Sequence, residues 1–159
     1  MKTLILSLLL LSVLFGDYSL AESCQPKKDS CDFYLCKEQE SPCGDKGYWL
    51  AYGYKYCSLF LDVEDKFPAT SMDWMQKVRF CLQKEINTFP EEISCKESYL
   101  KSMSSHVDCY TDTGFCQLSL KERASIIWVL RSALLLPLTY VEGLELEYQC
   151  TIQGQNYNY

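Results

Sequence analysis

Ser119-Leu120-Lys121-Glu122 begins the stretch that decides the fold. A serine followed three residues later by a glutamate can close a capping box, each side chain satisfying a backbone N–H at a helix start. Ile126, Ile127, Leu130 and Leu134 then recur at helical spacing, so a helix is expected from 119 to about 135, before Pro137 interrupts it. The apolar run 126–138 contains Arg131 and Pro137 and is too short to span a bilayer. It reads as a buried helix.

Further upstream the helical signals continue. Pro90 stands where a first-turn proline belongs, and Glu91 and Glu92 suit the positive end of a helix dipole. A helix over about 91–104 follows, with Ile93, Leu100 and Met103 facing inward. Thr70 or Ser71 can cap a helix over about 71–87, along which Trp74, Val78, Cys81, Leu82 and Ile86 share one side. The segment 47–61 carries Tyr48, Tyr52, Tyr56 and Phe60 four apart, with Cys57 beside them; Gly53 costs this helix about 1 kcal/mol. A short helix over 31–40 holds Cys31 and Cys36. The segment 138–149 is ambiguous, because Leu144-Glu145-Leu146-Glu147-Tyr148 alternates as a strand does. Together these elements predict one all-α domain of five or six helices over 22–150, with 151–159 a polar, loose tail.

At the amino terminus Lys2 precedes an apolar run, 4–15, and Ser19-Leu20-Ala21 places small residues where a signal peptidase reads. Residues 1–21 are therefore expected to be a secretory signal peptide, cleaved after Ala21. Removing them takes away Lys2 and Asp17, so the formal net charge stays at −6. An acidic chain of this kind lacks the basic patches that nucleic acid and anionic lipid require. No Asn-x-Ser/Thr sequon is present.

All 10 cysteines lie beyond that leader: Cys24, Cys31, Cys36, Cys43, Cys57, Cys81, Cys95, Cys109, Cys116 and Cys150. An even number in an exported chain argues for five disulfides. Zinc prefers closely spaced pairs such as C-x2-C, which are absent, and His106 is the only histidine. The same absence argues against a thioredoxin-like redox enzyme. The sequence thus implies no metal and no cofactor.

Three features could carry chemistry. His106-Val107-Asp108-Cys109-Tyr110 is similar to the His-Asp-x-Cys-Tyr region of secreted phospholipases A2. An extra residue separates His106 from Asp108, however, Ser104-Ser105 replaces the paired cysteines, and Cys43-Gly44-Asp45-Lys46-Gly47 lacks most of a calcium loop. A general base needs an orienting partner within hydrogen-bond reach. A polar helix end beside a disulfide is the plainer reading, with no catalytic residue expected. The aromatic stripe Tyr48, Trp49, Tyr52, Tyr54, Tyr56 reads mainly as core, with Tyr54 off the main face and available as a partner-binding anchor. Asp62, Glu64 and Asp65 do not match the EF-hand spacing and read as a solvated turn.

The cysteine gaps, counted in intervening residues, run 6, 4, 6, 13, 23, 13, 13, 6 and 33. This series resembles the framework of the stanniocalcins, secreted glycoprotein hormones. The similarity takes in all ten cysteines, together with Gly47-Tyr48, Phe60, Leu82 and Tyr110. It implies the pairs Cys24–Cys36, Cys31–Cys57, Cys43–Cys95, Cys81–Cys109 and Cys116–Cys150. In an antiparallel hairpin turning near Phe89, Cys81 lies opposite about residue 97, so the chain after Ser104 is expected to double back to bring Cys109 to it. Only nine residues follow Cys150 here. The family's long C-terminal region, with its subunit-linking cysteine, and its early sequon are not matched, and no covalent dimer is expected. The resemblance implies a secreted hormone-like or inhibitor-like protein acting on an extracellular partner or receptor, in calcium and phosphate balance or in restraint of pappalysin-type metalloproteinases. A degenerate phospholipase A2-like protein and a secreted structural or effector module are the alternatives.

Overall fold

The computed structural model describes residues 24–156. The signal peptide expected over 1–21 lies outside them, as do residues 157–159. The described chain forms α1 (Asp32–Glu40), a π-helical segment (Trp49–Tyr54) running into α2 (Lys55–Leu61), α3 (Ala69–Ile86), α4 (Cys95–Asp112), α5 (Leu120–Val129) and α6 (Pro137–Asn156). Short 3-10 turns stand at Glu64–Lys66, Phe115–Gln117 and Ala133–Leu135. The expected all-α class therefore holds, with six α-helices and no strand among the described residues. The alternating 144–148 segment lies inside α6. That helix starts at Pro137 and continues through Asn156, so the first part of the expected loose tail is helical.

Helix starts follow their caps. The Ser119 hydroxyl accepts from the Glu122 N–H at 3.3 Å, and the Glu122 carboxylate accepts from the Ser119 N–H at 2.9 Å. Ser94 and Glu97 build the same box at the head of α4. This second box, and not Pro90, sets the start, so α4 begins at Cys95 rather than 91. No glycine or proline then stops α4 until Gly114, which adopts φ 105°. With the later start, Ser98, Ser102, Met103, His106 and Cys109 form the buried face, and Leu100 is 48% exposed instead of facing inward. His106 stands in mid-helix rather than at a helix end.

Two other boundaries differ from expectation. α3 begins at Ala69, after Pro68, and neither Thr70 nor Ser71 caps it; both hydroxyls donate instead to Glu122 of α5. α5 stops at Val129, where Arg131 Nη1 donates to the Trp128 carbonyl at 2.8 Å. Tyr56 and Ser132 hydroxyls, 3.1 Å apart, then hold the chain as Ala133 turns into the core. The run 126–138 is consequently divided among the end of α5, the Ala133–Leu135 turn and the start of α6, with Trp128 and Leu135 exposed, and is not one buried helix.

The segment expected as one helix over 47–61 opens instead with the π-helical turn. Built there, a Cβ on Gly53 would lie 2.4 Å from Tyr34 Cδ1. Glycine thus permits a contact that offsets its helix cost. Around it, Tyr34, Tyr48, Trp49, Tyr56 and Met103 form one core cluster; Trp74, Val78, Phe115, Ile126 and Leu146 form the second. Burial of each large side chain contributes about 1.5–3 kcal/mol.

Five disulfides join the elements: Cys24–Cys36, Cys31–Cys57, Cys43–Cys95, Cys81–Cys109 and Cys116–Cys150. Their sequence separations run from 12 to 52. Each could contribute about 3–4 kcal/mol in the chain-entropy model. Cys81 and Cys109 both sit within helices, α3 and α4, so the chain does not double back after Ser104 to join them. Cys81 is five residues from the end of α3 and Cys109 fourteen from the start of α4. At 1.5 Å per residue that mismatch is about 13 Å, which the eight-residue connection 87–94 spans.

Candidate functional site

His106, the histidine of the phospholipase-like motif, projects from the buried face of α4 into a nest of rings. Its ring centroid lies 5.4 Å from that of Tyr52 and 6.0 Å from that of Tyr110. Nδ1 stands 3.0 Å from the Met103 carbonyl oxygen, a contact that requires the proton on Nδ1 and leaves Nε2 as an acceptor. Burial pushes the His106 pKa down to about 4, so the ring is neutral at pH 7. Asp108 is exposed on another face of α4 and forms no pair with it. The two residues compared with the phospholipase motif are therefore not brought together.

A half-open cavity of about 60 Å³ lies between α4, α5 and α6, next to His106. Ile126, Leu130 and Leu146 supply apolar walls, and Tyr52, Tyr110 and Phe115 supply aromatic ones. Glu142 lines the same space without an ion pair among the described residues, and burial raises its pKa to about 8. The Tyr52 hydroxyl lies 3.3 Å from Thr139 Oγ1 on the neighbouring turn of α6. Glu142 and Gly143 escaped the sequence reading because 138–149 had no assigned geometry. Once that segment is a helix, residues 139, 142, 143 and 146 fall on one side of it.

The other side of α6 is apolar too. Val141, Leu144 and Tyr148 are 58%, 57% and 59% exposed, and Ile152 continues their row. A helix apolar on both faces is ordinarily covered on both. α6 contains Glu142, Glu145 and Glu147 and no lysine or arginine. Among the described residues only Glu147 of these is ion-paired, to Arg123 at 2.9 Å. The stripe Tyr48, Trp49, Tyr52, Tyr56 is buried, with Tyr54 at the edge of exposure. Among the described residues Trp128, Tyr140 and Tyr148 are the more fully exposed aromatic side chains.

The acidic turn after α2 is only partly solvated. Asp62 and Asp65 face water, but Glu64 forms a 2.5 Å ion pair with Arg79, which is buried and also donates twice to the Lys28 carbonyl. Gln83 bridges the same strand-free N-terminal segment, accepting from Lys27 N–H and donating to the Ser30 carbonyl. One cluster of potential metal ligands, Cys24, Cys36 and Glu40, is present among the described residues, but its two sulfurs are a disulfide. No cysteine is free. No helix is long and apolar enough to cross a membrane among the described residues. No protein-family model, curated protein or solved structure matches the chain.

Proposed function

We propose that the protein is an extracellular binding protein, hormone-like or inhibitor-like, built on a stanniocalcin-like disulfide framework. The outer face of α6 carries the reading: Val141, Leu144, Tyr148 and Ile152 form an apolar row that no described residue covers. Exposed aromatic and aliphatic residues of this kind anchor protein interfaces. A second copy would bring two acid-flanked rows together, and α6 offers no basic residue to offset Glu145. The complementary occupant is a partner protein that presents an amphipathic helix, apolar with lysine or arginine at its edges. Consumption of every cysteine by a disulfide supports an oxidising, extracellular setting. The five pairs are those that the stanniocalcin resemblance implies, which supports the hormone-like or inhibitor-like reading over a structural module. A role in calcium and phosphate balance, or in restraint of a metalloproteinase, rests on that resemblance alone.

The test uses fluorescently labelled amphipathic helical peptides of equal hydrophobicity, one with lysine flanks and one with glutamate flanks. Anisotropy should show binding of the basic peptide only, lost in the double variant Leu144→Glu, Tyr148→Glu. Equal binding of both peptides, or a dimer in sedimentation that the double variant dissolves, would contradict the assigned occupant.

A further inference from the structure

The cavity on the inner side of α6 is separate from the outer apolar row, and its chemistry is more selective. We propose that this cavity is a binding site for a linear alkylammonium group, which pairs with Glu142 while its chain packs on Ile126, Leu130 and Leu146. Two polar groups around the space can accept from a cationic donor, Glu142 and His106. Glu142 offers a carboxyl group with no cationic partner among the described residues, and His106 offers its Nε2 lone pair because Nδ1 is committed to Met103. Tyr52, Tyr110 and Phe115 add ring faces of the kind that attract ammonium ions. The remaining walls, from α5 and the turn Ala133–Leu135, are the aliphatic residues Ile126, Ile127, Leu130 and Leu134, so no lysine or arginine occupies the role already.

Size narrows the class. An apolar cavity of about 150 Å³ holds a benzene ring. At about 60 Å³ this half-open one is far smaller, so a narrow group enters it: an ammonium head with its first methylenes, the rest of the chain lying along the mouth. Gly143 lines it, and a Cβ built there would meet Leu134 Cδ2 at 3.7 Å, an ordinary contact. Glycine therefore leaves room in the cavity that a longer side chain would fill. The shared chemistry has two sources: a free aliphatic amine, or a lysine side chain of a protein partner.

Isothermal titration with n-butylammonium, n-butanol and lysine blocked at both backbone ends tests the proposal. Butylammonium should bind about tenfold or more tightly than butanol, the ratio one charged hydrogen bond supplies. Because burial keeps Glu142 largely protonated at pH 7, binding there should release protons to buffer, and release should fade at pH 9.5. Glu142→Gln should erase both the preference and the proton release; Gly143→Leu should exclude every ligand. Blocked lysine binding as well as butylammonium assigns the site to a partner's side chain, and its exclusion assigns it to a free amine. Equal binding of butanol and butylammonium to the unaltered protein would overturn the proposal. So would the absence of proton release, no binding by any ligand, or undiminished amine binding in Glu142→Gln.

Discussion

Ser71 Oγ donates to Glu122 Oε1 over 2.9 Å, so the carboxylate that caps α5 also holds the first turn of α3. Thr70 donates to the same oxygen. Four hydrogen bonds to the charged form hold the Glu122 pKa down to about 2, the largest contribution coming from Ser119. Ser119→Ala should cost about 1 kcal/mol, as loss of one cap does. Glu122→Ala should cost more, because it removes the cap and the tie between helices together. A depressed carboxyl pKa stabilises the fold above its ordinary value of 4.5 and loses that effect as pH falls toward 2. Thermal melts of the two variants should therefore differ at pH 7 and converge near pH 2.

One substitution made at two glycines should have opposite effects. Gly53→Ala drives a methyl group into the Tyr34 ring, at 2.4 Å from Cδ1, and should destabilise by about 1–3 kcal/mol as overpacking does. Gly143→Ala meets only Leu134 at 3.7 Å in the middle of α6, and should stabilise by roughly 0.5–1 kcal/mol. Urea unfolding of both variants at constant disulfide content measures the difference.

His106 and Glu142 should give stability opposite slopes with pH. The folded pKa of His106, about 4, lies below its ordinary 6.5, so the unfolded chain binds more protons between those values. Its contribution is full above pH 6.5 and is lost as pH falls to 4, a change of roughly 3 kcal/mol. The folded pKa of Glu142, about 8, lies above its ordinary 4.5, so stability declines as pH rises from 4.5 through 8. His106→Phe should flatten the acid limb, and Glu142→Gln should gain stability over its parent at pH 8 but not at pH 4. Unfolding free energies at four pH values separate the two effects.

Much of the fold was legible because capping boxes, aromatic spacing and cysteine number are local signals. Ser119 and Glu122 announced α5, and Tyr48, Tyr52 and Tyr56 announced a buried face. Failures came where tertiary contacts overrode those signals. Thr70 and Ser71 have the look of caps but serve Glu122, about fifty residues downstream, and only the folded chain brings the first turn of α3 to the start of α5. Arg79 occupies an apolar-looking face because the Lys28 carbonyl and Glu64 wait there. The cavity was the least legible feature. Glu142 and Gly143 gain meaning only when 138–149 is known to be a helix and α4 to carry His106 in its middle.

Replacing Leu144 and Tyr148 by glutamate should leave stability nearly unchanged, within about 0.5 kcal/mol each, because both side chains already face water. Burial of either residue in the isolated protein would appear as a large loss in thermal stability. Such a loss would remove the outer face of α6 as a binding surface.

Disulfide mapping of protein recovered from culture medium tests the central claim, an extracellular helical protein locked by five internal bridges, most directly. The material is treated with an alkylating reagent under denaturing conditions without reductant, weighed intact and then proteolysed. The account predicts a monomer ten hydrogens lighter than the reduced chain, with no reagent attached. It also predicts peptides joined through Cys24–Cys36, Cys31–Cys57, Cys43–Cys95, Cys81–Cys109 and Cys116–Cys150. Alkylated cysteines, a disulfide-linked dimer as the main species, or any other pairing would contradict it.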